Sequence, residues 1–379
     1  MKFAHIADLH IGKRVNDFSM IEDQKYILNR ICDICADKDV SGVLISGDVY
    51  DKSVPGAEAV TLLNDFLCEL IGRGMKVFMI SGNHDSAERL SFASELLTGC
   101  GMYISPVFDG EVKKIALDDE YGRINVYLLP FIKPVNVKTA YGIEHSMSYT
   151  EAVKCVLDKL DTDENERNIL VAHQFVTGAV KCDSEEISVG GIDNVEATVF
   201  DSFDYVALGH IHNPQTVLRD TVRYCGTPLK YSFSECKHTK TVTIVDLGTK
   251  GDISFEYIPL VPLRDMAELK GDFATLVSDD YASDDIKNCY LRIVLTDEED
   301  IPDSISRLRA VYPNVMRIEY DNTRTRAESS VVADTEAEKK TPDMLFADLY
   351  EMQNNSPMDE KQTEYIRDII NEIWGSDTV

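Results

Sequence analysis

Short apolar runs alternate with amphipathic stretches along the first two thirds of the chain. Residues 3–7, 42–46, 76–81, 124–130, 169–172 and 205–208 have strand length, and 241–247 and 253–258 follow them. Between the second and third runs, residues 57–71 place apolar side chains at helical spacing. Strands interleaved with helices predict an α/β fold. Near residues 261–264 the pattern changes. Residues 265–320 predict a small separate α/β unit with strands at 290–295 and 315–320 and a helix at 305–311. Residues 322–340 are polar and rich in Thr, Ala, Glu and Ser, the composition of a linker. The expected organisation is a catalytic-type α/β domain over 1–262, the small unit over 265–320, that linker, and a helical tail over 341–375.

Two helices are predicted in the tail. Thr341-Pro342 and Ser356-Pro357 each pair a capping side chain with proline at the first helical position. Leu345, Phe346, Leu349 and Tyr350 make one apolar stripe; Tyr365, Ile366, Ile369, Ile370, Ile373 and Trp374 make another. Such stripes either pack on the chain's own domains or anchor it in a partner's groove.

The polar residues between these elements carry the chemistry. Most predicted strands end in a polar cluster: Asp8 and His10, then Asp48, then Asn83, His84 and Asp85, then His173, then His210 and His212. Open α/β sheets build sites just past the carboxyl ends of strands. Two carboxylates, one carboxamide and five imidazoles are too many for one ion. Two ions sharing a bridging carboxylate suit them, and such pairs perform in-line displacement at phosphorus. Mixed nitrogen and oxygen donors favour Mn²⁺, Fe or Zn²⁺ over Mg²⁺. Any one of these motifs alone would read as scattered polar groups at a strand end; the ordered set does not.

Other candidates are weaker. His5 lies inside the first strand and reads as core, whereas His145 and His238 read as solvated. Cys32 and Cys35 have CxxC spacing but sit in a helical apolar run, so buried helix cysteines are expected. Lys13, Arg14 and Arg89 follow the metal-type motifs closely enough to touch a phosphate, with solvated surface charge as the equal alternative.

Composition narrows the setting. Nine scattered cysteines make no disulfide framework, and reduced thiols fit the cytoplasm. No run of about 18 apolar residues offers a membrane span, and the N-terminus does not read as a signal peptide. The net charge of −28 changes the picture more. Most of the surface must repel a nucleic acid, so a DNA substrate would need positive surface from a partner.

The set D-x-H at Asp8 and His10, G-D-x-x-D at Gly47–Asp51, G-N-H-D at Gly82–Asp85, the lone His173 and G-H-x-H at Gly209–His212 resembles the calcineurin-like metallophosphoesterases. Spacing, the segment 226–233 and the tail resemble the SbcD branch, bacterial relatives of the meiotic-recombination nucleases. The resemblance implies two packed β-sheets flanked by helices, with a small capping domain and a helical tail. It implies two divalent ions, with Mn²⁺ expected. One would be held by Asp8, His10, Asp48 and His212. The other would be held by Asp48, Asn83, His173 and His210, with Asp48 bridging. His84 would serve the departing oxygen, and Asp85 could orient its ring. The implied activity is 3′→5′ exonuclease action on double strands and endonuclease action on single strands or hairpins. The implied partners are DNA, an SMC-like ATPase of the SbcC type, and a second copy of the chain within a heterotetramer. Asp51 stands where archaeal and eukaryotic relatives carry a second histidine, as bacterial relatives also have it.

Two alternatives remain. A phosphatase acting on a non-DNA substrate fits the same ligands, but Lys52 follows Asp51 where protein phosphatases carry Arg. A non-catalytic adaptor of a coiled-coil ATPase predicts eroded ligand positions, and none is eroded.

Overall fold

The structure is a computed structural model that describes residues 1–182, 185, 193–278, 281, 283–325, 342–354 and 357–374. It divides into two compact units, Met1–Met266 and Ala267–Val379.

In chain order the strands of the first unit are β1 (Lys2–Ile6), β2 (Arg14–Val15), β3 (Phe18–Ser19), β4 (Gly42–Ser46), β5 (Lys76–Ile80), β6 (Met102–Ile104), β7 (Lys113–Asp119), β8 (Gly122–Leu129), β9 (Arg167–His173), β10 (Tyr205–Gly209), β11 (Gln215–Val217), β12 (Arg219–Tyr224), β13 (Thr241–Leu247) and β14 (Ile253–Pro259). Two six-stranded sheets result, ordered β14-β13-β1-β4-β5-β6 and β11-β12-β10-β9-β8-β7. Central pairings are parallel: β1 with β4, β4 with β5, β8 with β9, and β9 with β10. Parallel strands covered on both faces read as unbroken apolar runs, and every residue of β4 and β9 is buried.

The sheets pack face to face. Phe3, Leu44, Phe78 and Val245 of one meet Val126, Ile169, Tyr205 and Ala207 of the other in a single core. The outer face of the second sheet is closed by helices Pro134–Tyr141 and Tyr149–Leu157, through Val137, Val153 and Val156. Helices α1 (Ile21–Asp37) and α2 (Ala57–Gly72) pack on each other, and α2 packs on β5. Cys32 and Cys35 are buried on α1, and burial pushes both thiols up to about 12. This is the two-sheet, helix-flanked architecture expected. It brings the carboxyl ends of β1, β4, β5, β9 and β10 to one place.

The second unit has a sheet ordered β15 (Met266–Gly271), β16 (Tyr290–Leu295) and β17 (Val315–Tyr320), with β16 and β17 parallel. Its core gathers Leu269, Phe273, Leu276, Ile293 and Leu308. The fold runs further than the expected linker boundary. Asn322 is buried, its amide nitrogen donates to the Asp297 carbonyl, and it closes a turn with Thr325. The rest of that linker lies outside the described residues.

The tail forms two helices, Pro342–Asn354 and Glu360–Trp374. The expected cap at Thr341 lies outside the described residues. The expected start at Ser356-Pro357 is corrected: the second helix begins at Glu360. Asp359 accepts from the Gln362 N–H while the Gln362 side chain accepts from the Asp359 N–H, a reciprocal capping box. Phe346, Leu349 and Tyr365 are 39%, 47% and 66% exposed. Ile366, Ile369 and Ile370 are half-buried, and the Tyr350 hydroxyl accepts from Gln362. The side chains of Leu345, Ile373 and Trp374 lie outside the described part.

Candidate active site

Four of the candidate ligands sit where the backbone turns into the left-handed region. Asp8, His10, Asp48 and His210 have φ of 52°, 44°, 47° and 100°. Non-glycine residues there cost about 1–3 kcal/mol each and persist only where surroundings enforce them. Here the loops brace one another: Asp8 N–H donates to Gly47, His10 N–H to Asp48 and Ile11 N–H to Val49. Two glycines permit the approach. A Cβ on Gly209 would lie 1.9 Å from the Ser46 carbonyl, and one on Gly82 would lie 2.1 Å from Asp48 Oδ1.

Asp48 is at the centre. Its Oδ2 lies 3.4 Å from His173 Nε2, 3.8 Å from His10 Nε2 and 3.9 Å from His84 Nε2. Its Oδ1 accepts the His84 N–H at 2.9 Å. To one side, His10 Nε2 and His212 Nε2 face each other at 3.2 Å, and Asp8 completes a group whose donor atoms lie within 4.8 Å of one another. To the other side, Asn83 Oδ1 lies 2.9 Å from His173 Nε2 and 3.0 Å from His210 Nδ1. His173 Nδ1 donates to the Ser46 carbonyl, which turns Nε2 toward Asp48.

Burial sets the charge of this cluster. Desolvation pushes His10 and His212 well down and brings His210 to about 3, so these rings keep lone pairs for a cation. Desolvation raises Asp8, against the pull of His173 and with the repulsion of Asp48. It would raise Asp48 also, but His173, His10 and His84 outweigh it and hold that carboxyl below the usual range. His173 answers in kind: desolvation opposes its charge, yet Asp48 and then Asp8 lift it to about 9. Two buried carboxylates thus draw positive charge between them. Neutral imidazoles, carboxylates and a carboxamide converging in this way fit divalent cations.

The sequence-predicted residues Asp8, His10, Asp48, Asn83, His84, His173, His210 and His212 are therefore brought together. The cationic candidates are not equivalent. Lys13 Nζ pairs with Asp51 Oδ1 at 2.7 Å, Arg14 turns to the Asp17 carbonyl on the β2–β3 hairpin, and Arg89 is exposed on the short helix Ala87–Leu90. Asp85 does not orient His84. Its carboxylate accepts the N–H groups of Val49, Tyr50 and Gly82, tying the β4 and β5 loops, while His84 Nδ1 faces the Asp51 carbonyl at 3.2 Å. His5 is buried between Tyr205 and Ser46, as its place in the strand predicts. His145 is exposed, but His238 is only half so, with Nδ1 buried.

Several positioning groups escaped the sequence reading. Gln24 on α1 donates to the His10 carbonyl at 2.7 Å and to Tyr231, whose hydroxyl donates to the Leu9 carbonyl at 2.6 Å. Lys240 donates to the His212 carbonyl at 2.8 Å and pairs with buried Glu235. Glu185 accepts the His212 N–H. The one sequence signal for any of them was the 226–233 segment, which contains Tyr231.

Comparison with known proteins identifies the family. Residues 1–214 match the family model for calcineurin-like phosphoesterases, and residues 262–354 match one described as the type 5 capsule protein repressor C-terminal domain. The SbcD subunit of the nuclease SbcCD from Staphylococcus epidermidis is 28% identical over 382 residues, covering 98% of this chain and 99% of the relative. The SbcD subunit from Staphylococcus saprophyticus is 31% identical over 322 residues, 84% of each chain. A solved dimetal phosphatase from Danio rerio aligns with 69% of this chain and 96% of its own at 12% identity and a TM-score of 0.43, a likeness that carries no argument. The chain therefore belongs to the calcineurin-like phosphoesterases and, within them, to the SbcD family of SbcCD nuclease subunits.

Proposed function

We propose that this chain is a metal-dependent DNA phosphodiesterase, the nuclease subunit that works beside an SMC-like ATPase of the SbcC type in DNA end processing. The observation that carries the proposal is the position of Asp48, one buried carboxylate facing His10 on one side and His173 on the other. Asp8, His10, Asp48 and His212 would hold one ion, and Asp48, Asn83, His173 and His210 would hold the second. Mn²⁺ is the ion assigned. When bound, such a pair neutralises phosphate charge and activates water near neutral pH.

The chain's own groups do the rest. The enforced backbone at Asp8, His10, Asp48 and His210 fixes the donors before substrate arrives, so little reorganisation is needed at the moment of reaction. His84 sits beside Asp48 with Nδ1 held by the Asp51 carbonyl and Nε2 3.9 Å from Asp48 Oδ2, and its ring is only half-buried. It is assigned to the 3′ oxygen that departs. His10, Asp48 and His84 also form a group whose donor atoms converge, so His84 as a ligand is the competing role. The implied reactions are 3′→5′ exonucleolysis of double strands and endonucleolysis of single strands and hairpins.

The partner reading rests on two surfaces. The tail presents Phe346, Leu349 and Tyr365 as anchors for the ATPase. Phe92 and Leu96, 81% and 83% exposed, support a second copy of this chain in a heterotetramer. A partner that brings positive surface also answers the net charge of −28. Among the described residues no helix is long and apolar enough to cross a membrane, and cytoplasmic residence is part of the proposal.

The test is Mn²⁺-dependent cleavage of a labelled DNA hairpin, with and without the ATPase. Cleavage that the ATPase and ATP stimulate is expected. No cleavage under either condition, with turnover of a small phosphomonoester instead, would move the chain to the phosphatase reading.

A further inference from the structure

The two sides of the candidate site differ in what they show to a substrate. Beside His10, the neighbouring aromatic Tyr231 is buried and its hydroxyl is committed to the Leu9 carbonyl, while Lys13 is held by Asp51. Beside His173 and His210, two phenylalanines remain partly exposed. Phe131 meets the His173 ring at 6.1 Å and 85°, His173 meets His210 at 5.3 Å, and Phe175 meets His210 at 6.3 Å and 64°. The rings touch edge to face in the order Phe131, His173, His210, Phe175, with the two histidines buried between the partly exposed phenylalanines.

Their placement follows from the second sheet. β8 and β9 are parallel neighbours with Leu129 opposite Ala172, so the loops after them emerge side by side. Phe131 N–H donates to the Ser81 carbonyl at 2.9 Å, the Phe175 carbonyl accepts from Val195 at 2.8 Å, and Gln174 donates to the Ile132 carbonyl, joining the loops. Phe175 also leans on the core, which orders its ring in advance. Each ring carries a lysine. Lys181 Nζ lies 3.8 Å from the Phe175 centroid and Lys133 Nζ lies 5.9 Å from that of Phe131. On the other side Lys13 lies 5.6 Å from the Tyr231 centroid, but that ring is buried and that lysine is paired with Asp51, so the two phenylalanine–lysine pairs are the ones whose rings are partly exposed.

We propose that Phe131 and Phe175, with Lys133 and Lys181, seat an unpaired nucleobase and its phosphates beside the reacting phosphodiester. Aromatic faces with adjacent cations are how single strands are held without sequence preference, because every base has a face to stack. A base displaces the ammonium from the Phe175 ring, and the lysine moves to a backbone phosphate. Seating an unpaired base favours frayed ends, hairpin loops and single strands over intact duplex. This inference rests on the nuclease reading and adds the feature of DNA that the site recognises.

The test uses the full-length chain with Mn²⁺ and a labelled single-stranded oligonucleotide, either intact or with one abasic nucleotide. Cleavage is mapped at the phosphodiesters flanking that nucleotide. The wild type should cut beside a base about tenfold more efficiently than beside the abasic position. The double variant Phe131→Leu, Phe175→Leu, which keeps apolar bulk but loses the stacking faces, should cut both alike while retaining its metal content. Lys181→Ala should lower the slope of log affinity against log salt, read by fluorescence anisotropy, by about one. A double variant with the wild-type preference would overturn the inference, as would a wild type that cuts DNA without regard to the base. A wild type that cuts neither oligonucleotide, alone or with the ATPase and ATP, overturns the nuclease reading itself, so the two failures are distinguishable.

Discussion

At the ends of β1, β4, β9 and β10, charged and polar side chains are buried: Asp8, His10, Asp48, His173 and His212. On the tail helices the reverse holds, and Phe346, Leu349 and Tyr365 stand in solvent. Both regions invert the ordinary distribution of residues, in opposite directions. Buried carboxylates without enough positive charge call for a cation. Exposed apolar residues on helices call for another protein surface. The first demand is met by something small enough to enter a closed cluster, the second by something large enough to cover a helix face. On the reading proposed above, the buried region takes metal ions and the exposed stripes of the tail take a protein surface.

The most severe way to break the buried region is Asp48→Ala. It removes the shared carboxylate, so metal-dependent turnover of DNA should fall to background in a nuclease assay. Residual activity within about tenfold of wild type would contradict the shared role.

His84→Gln should cost about 10²–10⁴-fold in turnover, the usual worth of a positioned proton donor, and both ions should stay. A nitrophenyl phosphodiester, whose leaving group needs little protonation, should show a smaller loss. Equal losses on both substrates would assign His84 to charge stabilisation, and a lost ion would make it a ligand.

The exposed region is sharpened by removing residues 341–379. Co-elution with the ATPase and stimulation by ATP should disappear, while weak Mn²⁺-dependent activity and the melting temperature of the remaining chain stay close to wild type. Aggregation of the truncated chain would show that the stripes pack within the protein. Continued co-elution would place the principal tether elsewhere.

The smallest effect is expected at Arg89, exposed on the short helix after the Gly82–Asp85 loop. Arg89→Ala should weaken DNA binding uniformly across sequences and lower the salt slope by about one. No change in slope would return Arg89 to ordinary surface charge.

Much of this was legible in the order of residues alone. The runs at 42–46, 241–247, 290–295 and 315–320 are the strands Gly42–Ser46, Thr241–Leu247, Tyr290–Leu295 and Val315–Tyr320, because buried parallel strands write themselves as unbroken apolar runs. The residues gathered at the site were legible for a related reason: each stands where such a run stops. β7 was missed because it is an edge strand whose inward residues are only Ile115 and Leu117, with Lys, Asp and Ala between and around them. β6, with three residues, gives no period to read. The braces around the ligands were illegible for another reason. Gln24 meets Tyr231 across 207 positions and Lys240 meets His212 across 28, and a polar residue does not announce its partner. Asp85 shows the converse. Adjacency to His84 suggested a contact, but its carboxylate serves the backbone of the β4 and β5 loops.

The measurement closest to the central claim is the metal content of the purified chain. Elemental analysis after Mn²⁺ loading and removal of free ion should find two ions per wild-type chain, one in His173→Ala, and neither held tightly in Asp48→Ala. Two ions retained by Asp48→Ala, or a wild type that binds none, would contradict the account.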